Sequence, residues 1–549
     1  MLRRDFISAT LVLGISSLRS GFAATAGAMK NVLDYGAKPD GKTLCTSAIQ
    51  RAIDDVTRAG GGTVRLPAGT FLSGRIDLKS RVTLHLDAGS TLLGSDSISD
   101  YKGPEYGNLQ QRHLIFAADA EDVALSGPGR IDGQGPSYWE PADQTPLPSD
   151  EQWRAVASHD LKPKKSGRPS PMIYFVNCRR VKIEDIRIEN SPGWTLNTVN
   201  CDDVHIQGIS IRNPVDGPNT DGIDLTGCQD VRVLNCTVET GDDAICLKTT
   251  NPYGNEPRAV RNVVVSGCSL TTCCNGFKLG TETLGGFENI TFSNSSVSNK
   301  DVPFKDRVIS GVALEVVDGG WIDGVLISGI QMERTRAPIF IHIGDRKRPY
   351  TYPQHGLRHI RIENIQATDS LLASSITGLR GAEVEDVTIS QLRVNNALPC
   401  RHEWVGRTVA EKPNAYPEAW MFGMLPASGL YARHVRNLRL DGVELSATAG
   451  EARPAIVFDD VIGAPITKLS TTPVNGNMPV VQLTDCRDVQ LSRSPAPAGT
   501  RVYLGVEGSN SQDISLREDD LHNARKAFET SAGASSSAVK VEGDIPLKH

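Results

Sequence analysis

The chain has 549 residues and a formal net charge of −6. That length exceeds one ordinary compact core unless the fold grows by repetition, and the acidic balance argues against a general nucleic-acid or anionic-membrane partner. A local basic cleft for an acidic ligand is still allowed, and 52 glycines with only 5% aromatics suit a turn-rich β protein.

The first segment reads Arg3-Arg4-Asp5-Phe6-Ile7, then a modest apolar stretch from Ala9 to Leu18, then alanine-rich sequence. It looks like a twin-arginine export signal over residues 1–28, so an exported protein, periplasmic or extracellular, is expected. The stretch is too short to cross a bilayer, and no later run is long and apolar enough, so no membrane span is expected. A helix is predicted from Thr46 to Val56, with apolar positions at Ala48, Ile49, Ala52, Ile53 and Val56. It would cover the open end of a repeat fold, whose first edge must be hidden.

Short alternating segments then recur, beginning at Val181, Val204, Val231, Val263 and Ile290 and continuing to about Ile514. Alternation of period two marks half-buried strands. Those starts lie 23, 27, 32 and 27 residues apart, a constant core with elastic insertions. Small or Asn residues (Gly208, Asn235, Gly267) fall where a coil would turn a corner. A propeller blade would need ~40–45 residues and four strands. The pattern therefore predicts an all-β, single-stranded right-handed parallel β-helix over residues 29–517, a solenoid with a short N-terminal capping helix, and a monomer. Insertions interrupt it at 136–170, with Trp139 and Trp153, and at 398–430. Residues 518–549, serine-rich and charged, read as a poorly ordered tail.

Of eleven cysteines, Cys178, Cys201, Cys228 and Cys486 each precede a strand-opening valine by three residues. One slot repeated in successive coils predicts an interior stack of free thiols rather than a disulfide framework. Serine at such a slot is expected to cost about 1–3 kcal/mol if its hydroxyl finds no partner. No cysteine spacing suggests a metal.

The chemical signal lies in two adjacent coils, Asn219-Thr220-Asp221 and Gly241-Asp242-Asp243. Asp243 follows Asp221 by about one coil, which stacks the three carboxylates on one face. Mutual repulsion should lift at least one of them. A carboxyl that keeps its proton beside ionised carboxylates is what glycosidic hydrolysis requires. Asp224, by contrast, reads as a solvated turn residue.

These two motifs, in this order on a β-helix, resemble glycoside hydrolase family 28, the polygalacturonases and rhamnogalacturonan hydrolases. Asp34-Tyr-Gly-Ala-Lys-Pro-Asp-Gly, Ile131-Asp-Gly-Gln-Gly and Asn190-Ser-Pro-Gly-Trp194 fit the same general pattern. The resemblance implies inverting hydrolysis without metal or organic cofactor. Asp242 would be the general acid, Asp221 and Asp243 would hold and activate water, and Asn219 would contact substrate. The implied partner is an acidic plant cell-wall polysaccharide or oligosaccharide. Two departures stand out. The family's Gly-His-Gly segment falls in 274–280, which puts Phe277 where the His is expected, and its Arg-Ile-Lys segment falls at Ala313-Leu314-Glu315. Lys248, Lys278, Arg307, Arg346 and Arg348 are then the candidate cations for an acidic sugar, each of the later ones readable alone as a solvated surface charge. His342 fits a structural role as well as a sugar contact. The departures point away from plain polygalacturonate, and the 136–170 insertion is placed to favour attack at chain ends. A β-helix polysaccharide lyase and a non-catalytic carbohydrate-binding β-helix are the rival readings.

Overall fold

The computed structural model describes residues 27–542 except 108, 110, 144–145, 149, 255, 300–304, 306 and 347–355. The expected export signal lies, apart from its last two residues, outside the described residues, and so does Arg348. Among the described residues, forty strands join into one parallel sheet that winds as a β-helix. A typical coil runs through Leu196–Val199, Asp202–Gln207 and Ser210–Arg212, and each strand pairs in parallel with its counterpart one coil later. Inward residues stack column by column: Val181 on Val204, Val204 on Val231, Val231 on Val263, Val263 on Ile290. All of them are buried, and the core is one continuous apolar column along the solenoid.

The capping helix spans Thr46–Arg58, and its buried residues are the five predicted apolar positions. The other end corrects the sequence reading. The segment expected to be a loose tail contains the strands Lys526–Ser531 and Val539–Glu542, which pair with Val502–Glu507 and Gln512–Arg517 and add a further coil. No helix among the described residues is long and apolar enough to cross a membrane.

The corners explain the glycines. Asp185, Gly208, Asn235, Gly267, Asn294, Gly329 and Asn364 occupy one corner in seven successive coils, all with φ between 48° and 70°. The residue type alternates between Asx and Gly. A Cβ on Gly208 would stand 2.5 Å from the Asp185 Oδ1, and one on Gly267 would stand 2.4 Å from the Asn235 Oδ1. The Asp185, Asn235 and Asn294 side chains therefore each nest in the space that the next coil's glycine leaves open. Both residue types tolerate the left-handed backbone.

Every cysteine is free, and all but Cys400 are buried. Cys178, Cys201 and Cys228 stack in consecutive coils, with the Cys178 N–H donating to the Cys201 Sγ at 3.3 Å. Each thiol also donates to the carbonyl two residues earlier, at 3.3 Å for Cys178 and 3.4 Å for Cys201 and Cys228. A hydroxyl can make the same bond. Ser295, one coil beyond Cys268, donates to the Ser293 carbonyl at 2.7 Å while accepting from the Cys268 N–H. The cost expected for serine at a thiol slot is thus revised downward, because the partner carbonyl is built into the corner.

Two outcomes follow. Denatured, unreduced protein titrates with its thiols free, whereas recovery of only one or two would restore a disulfide framework. Gly267→Ala costs roughly 1–3 kcal/mol, by lost conformational freedom and a forced contact. A thermal-denaturation double-mutant cycle should recover part of that loss in an Asn235→Gly background, and additive losses would refute the nesting.

Candidate active site

The outer face of one sheet carries the site. Strand Ile223–Thr226 pairs with Ile245–Lys248, which pairs with Asn275–Leu279, so Asp224, Cys246 and Lys278 form one outward column. The ladder continues into the turns before these strands. The Gly222 N–H donates to the Asp243 carbonyl at 2.9 Å and the Ala244 N–H to the Asn275 carbonyl at 2.9 Å. Asp221, Asp243 and Asn275 therefore stack one above another. Thr220 joins the two motifs: its Oγ1 accepts the Gly241 N–H at 3.0 Å and donates to the Gly217 carbonyl at 3.0 Å. Gly241 permits that approach, since a Cβ there would sit 2.4 Å from the Gly217 oxygen.

Asp221, Asp242 and Asp243 each offer a carboxylate oxygen within 4.8 Å of the others. Two lysines separate the charges. The Lys248 ammonium bonds Asp224 Oδ1 at 2.7 Å and Asp221 Oδ2 at 3.3 Å, and it lies 3.5 Å from the Trp194 ring centroid. Lys278 reaches Asp243 Oδ2 at 3.2 Å, while Asn275 Nδ2 donates to Asp243 Oδ1 at 2.8 Å. Asp242 has neither lysine. It accepts from its neighbour's N–H at 2.8 Å and from Asn219 Nδ2 at 3.4 Å. The three carboxylates are also the one group of His, Cys, Asp and Glu among the described residues close enough to grip a metal ion, but ammonium groups already neutralise two of them.

The protonation states diverge accordingly. Burial, then the Asp221 and Asp243 charges, push the Asp242 carboxyl well above its ordinary range. Burial also acts on Asp243, but the Lys278 ammonium and the Asn275 amide outweigh it and hold that carboxyl below the usual range. Burial raises Asp221 against the pull of Lys248. A proton-holding acid thus stands beside an ionised base, the division of labour that general acid–base chemistry needs.

Several sequence expectations change. Phe277 is not a cleft residue: it points inward, opposite Ile245 and Val312, and stacks on Phe292 at 4.6 Å between ring centroids. The residues of this segment that face the carboxylates are Asn275 and Lys278. Asp224 is not a solvated turn residue but a fully buried partner of Lys248. Lys248 and Lys278 are in the site, yet as counter-ions to its aspartates. Arg307 is bound to Asp369 at 2.8 Å instead of to the catalytic group. Arg346 is held by both oxygens of Asp318, at 2.7 and 2.5 Å. His342 is buried, with Nδ1 2.8 Å from the Thr377 hydroxyl.

Sequence reasoning missed residues from the insertions. Arg168 bonds the Pro192 and Pro218 carbonyls at 2.8 and 2.6 Å and Asn219 Oδ1 at 3.3 Å, beside Asp221 and Asp242. Segment 398–430 brings Tyr416 and Glu418 towards Lys278. Its apolar residues Trp404, Phe422, Met424 and Leu425 pack with outward-facing Ala313, Phe340, Tyr431 and Val457, so the sheet face beyond the catalytic coils is covered. Fully buried Arg336 ties this cover together, donating to the Trp153 carbonyl at 2.7 Å and to the Ala155 and Arg307 carbonyls, with Trp420 stacked on its guanidinium.

The family model described as glycosyl hydrolases family 28 matches residues 58–404. A protein of Vitis vinifera named probable polygalacturonase is 26% identical over 397 residues, 68% of this chain and 75% of its own. An exo-poly-alpha-D-galacturonosidase of Dickeya chrysanthemi is 27% identical over 341 residues, 55% of each chain. The crystal structure of a hyperthermoactive exopolygalacturonase from Thermotoga maritima shares the fold, with a TM-score of 0.57 at 22% identity, over 76% of this chain and 91% of that one.

The divergent carboxyls predict a bell-shaped pH–rate profile. Activity falls as pH drops through the lowered Asp243 value and falls again as pH rises through the raised Asp242 value. Lys278→Met removes the cation that depresses Asp243, so the acid limb moves up by about one to three pH units. An unmoved acid limb would show that Asp243 does not set it.

Proposed function

We propose that this chain, which belongs to glycosyl hydrolases family 28 and is a glycoside hydrolase, cleaves galacturonosyl-type linkages in pectic poly- or oligosaccharide with inversion. The observation that carries the reading is the unequal treatment of three adjacent carboxylates: Asp243 and Asp221 each have an ammonium partner, and Asp242 has none. Asp242 gives its proton to the leaving oxygen. Asp221 and Asp243 hold a water, and Asp243, the carboxyl kept ionised, takes its proton as it attacks the anomeric carbon. Asn219 and Arg168 line the same mouth, where an acidic sugar finds a guanidinium. Relatives named polygalacturonases support the substrate class. The protein acts as a monomer outside the cytoplasm, on cell-wall material of plants. Action at chain ends is favoured, because segment 398–430 closes the sheet face beyond the catalytic coils.

A lyase would instead need a base that removes the proton next to a uronate carboxylate, and here the two best-placed ammonium groups are tied to aspartates. Carboxyl oxygens within 4.8 Å are closer than the ~6.5–9.5 Å usual for an inverting pair, so the stereochemistry is the sharpest test of the assigned roles. Proton NMR of the first product should show the anomer of opposite configuration to the substrate. Retention would make Asp221 or Asp243 a nucleophile. Asp242→Asn should lower the rate by about 10²–10⁴-fold without lowering the thermal midpoint, and near-normal turnover by that variant would remove Asp242 from its role. On a polymeric substrate, reducing ends should accumulate well before viscosity falls, whereas an early fall in viscosity would establish internal cleavage.

A further inference from the structure

The cleft is electrically lopsided beyond Asp243. Lys278 is opposite Ala313 in the strand register, and Glu315 on that strand is opposite His342. Glu418 arrives from segment 398–430. Lys278 bonds Asp243 at 3.2 Å, and its charge also acts on the Glu315 and Glu418 carboxyls. Arg346 lies beside Glu315, but Asp318 occupies its guanidinium. Arg336 also acts on Glu418, but its guanidinium is bound to backbone carbonyls, so Lys278 is the one ammonium that acts on all three carboxyls.

Hydrogen-bonding capacity in the same region is unbalanced in the same sense. Asn275 Oδ1, Glu315 Oε2 and Glu418 Oε2 are buried atoms without a hydrogen-bond partner, as is Asp221 Oδ1 on the adjoining coil. Asn275 and Glu315 are each only 1% exposed. The orientation of the Asn275 amide is fixed, because its Nδ2 donates to Asp243 and the reverse would set oxygen against oxygen. A buried acceptor left unmade is costly, so such a group of them calls for donors. A uronate carboxylate offers only further acceptors and another negative charge. Sugar hydroxyls offer donors. Burial lifts Glu315 well above its ordinary range and Glu418 to about 7, and hydroxyl donors would restore both as acceptors.

We infer that the sugar ring seated against Lys278, Glu315 and Glu418 is a neutral, hydroxyl-bearing ring, and that Glu315 and Glu418 are the specificity-determining residues that exclude a uronate there. This rests on the hydrolytic reading of the adjacent aspartates and narrows its substrate class. The bond hydrolysed at this site then has a neutral sugar on one side, whatever stands on the other.

Binding tests it separately from turnover. Asp242→Asn protein is titrated calorimetrically with trisaccharide pairs that differ in one terminal ring, which carries either a hydroxymethyl group or a carboxylate at C6. One pair is altered at the reducing end and one at the non-reducing end. At one end the neutral member should bind at least about tenfold more tightly, the scale of a single charge-assisted hydrogen bond or of one like-charge repulsion avoided. Glu418→Gln, nearly isosteric, should shrink that ratio, and Glu315→Gln with Glu418→Gln should shrink it further at an unchanged thermal midpoint. Equal or tighter binding of the carboxylate member at both ends overturns the inference, and so does binding of neither member. A wild-type enzyme that binds the neutral ligand but hydrolyses none of the trisaccharides would instead overturn the hydrolytic reading.

Discussion

Parallel stacking forces like upon like. Coils repeat about every 4.8 Å, so residues at equivalent outward positions of neighbouring coils stand side by side. Aspartates placed at the same slot of two coils therefore meet at a separation where their repulsion cannot be ignored. Here the stack contains its own remedy. Lys248 lies between Asp221 and Asp224, and Lys278 lies against Asp243. Both lysines stand at outward positions of strands one coil later, in columns beside those of the acids they serve. What remains uncompensated is Asp242, and its stranded position is the chemical asset. Remove either lysine and the carboxylates would share protons among themselves, and acid and base would no longer be distinct.

The remainder of the site is supplied by chain that does not repeat. Both insertions are anchored through Arg336, whose fully buried guanidinium binds backbone carbonyls of one insertion and packs under Trp420 of the other. A buried guanidinium is tolerated only when its donors are satisfied, so its presence fixes the geometry of both segments together. The catalytic coils and their cover thus have different origins of precision: register for the aspartates and lysines, and one polar anchor for Arg168, Tyr416 and Glu418.

That difference decides what was legible in the sequence. Alternating apolar residues disclosed the strands, and the spacing of Asp221 and Asp243 disclosed their stacking, because both follow from the coil repeat. The capping helix was legible from its apolar face alone. Phe277 was misplaced although the strand alternation already excludes it from the outer face. The alternation Ile245, Leu247 against Phe277, Leu279 already puts 277 inside and 278 outside, and a two-residue shift in matching a motif conceals it. Asp224 follows the same logic: it sits between inward Ile223 and Leu225, which places it outward, one coil before Cys246 and beside the column that carries Lys248. Arg168 and Glu418 had no such signal, since no stacking rule reaches into an insertion. The last coil was hidden by composition, for its exposed faces are serine-rich and charged while only a few positions, such as Ala538 and Val539, are buried.

The alternation of Asx and Gly at one corner carries a consequence for how such a chain can change in length. If every coil had the same corner residue, the repeating unit would be one turn, and a single turn could be copied or lost without disturbing its neighbours. From Asp185 to Asn364 the corner instead has a period of two turns. Loss of one turn would bring two side chains into the same nest, or leave two glycines facing each other across an unfilled gap. Duplication and deletion within this stretch are therefore quantised in pairs. A lineage that gained or lost an odd turn would carry a compensating Asx-to-Gly exchange as the scar of the event.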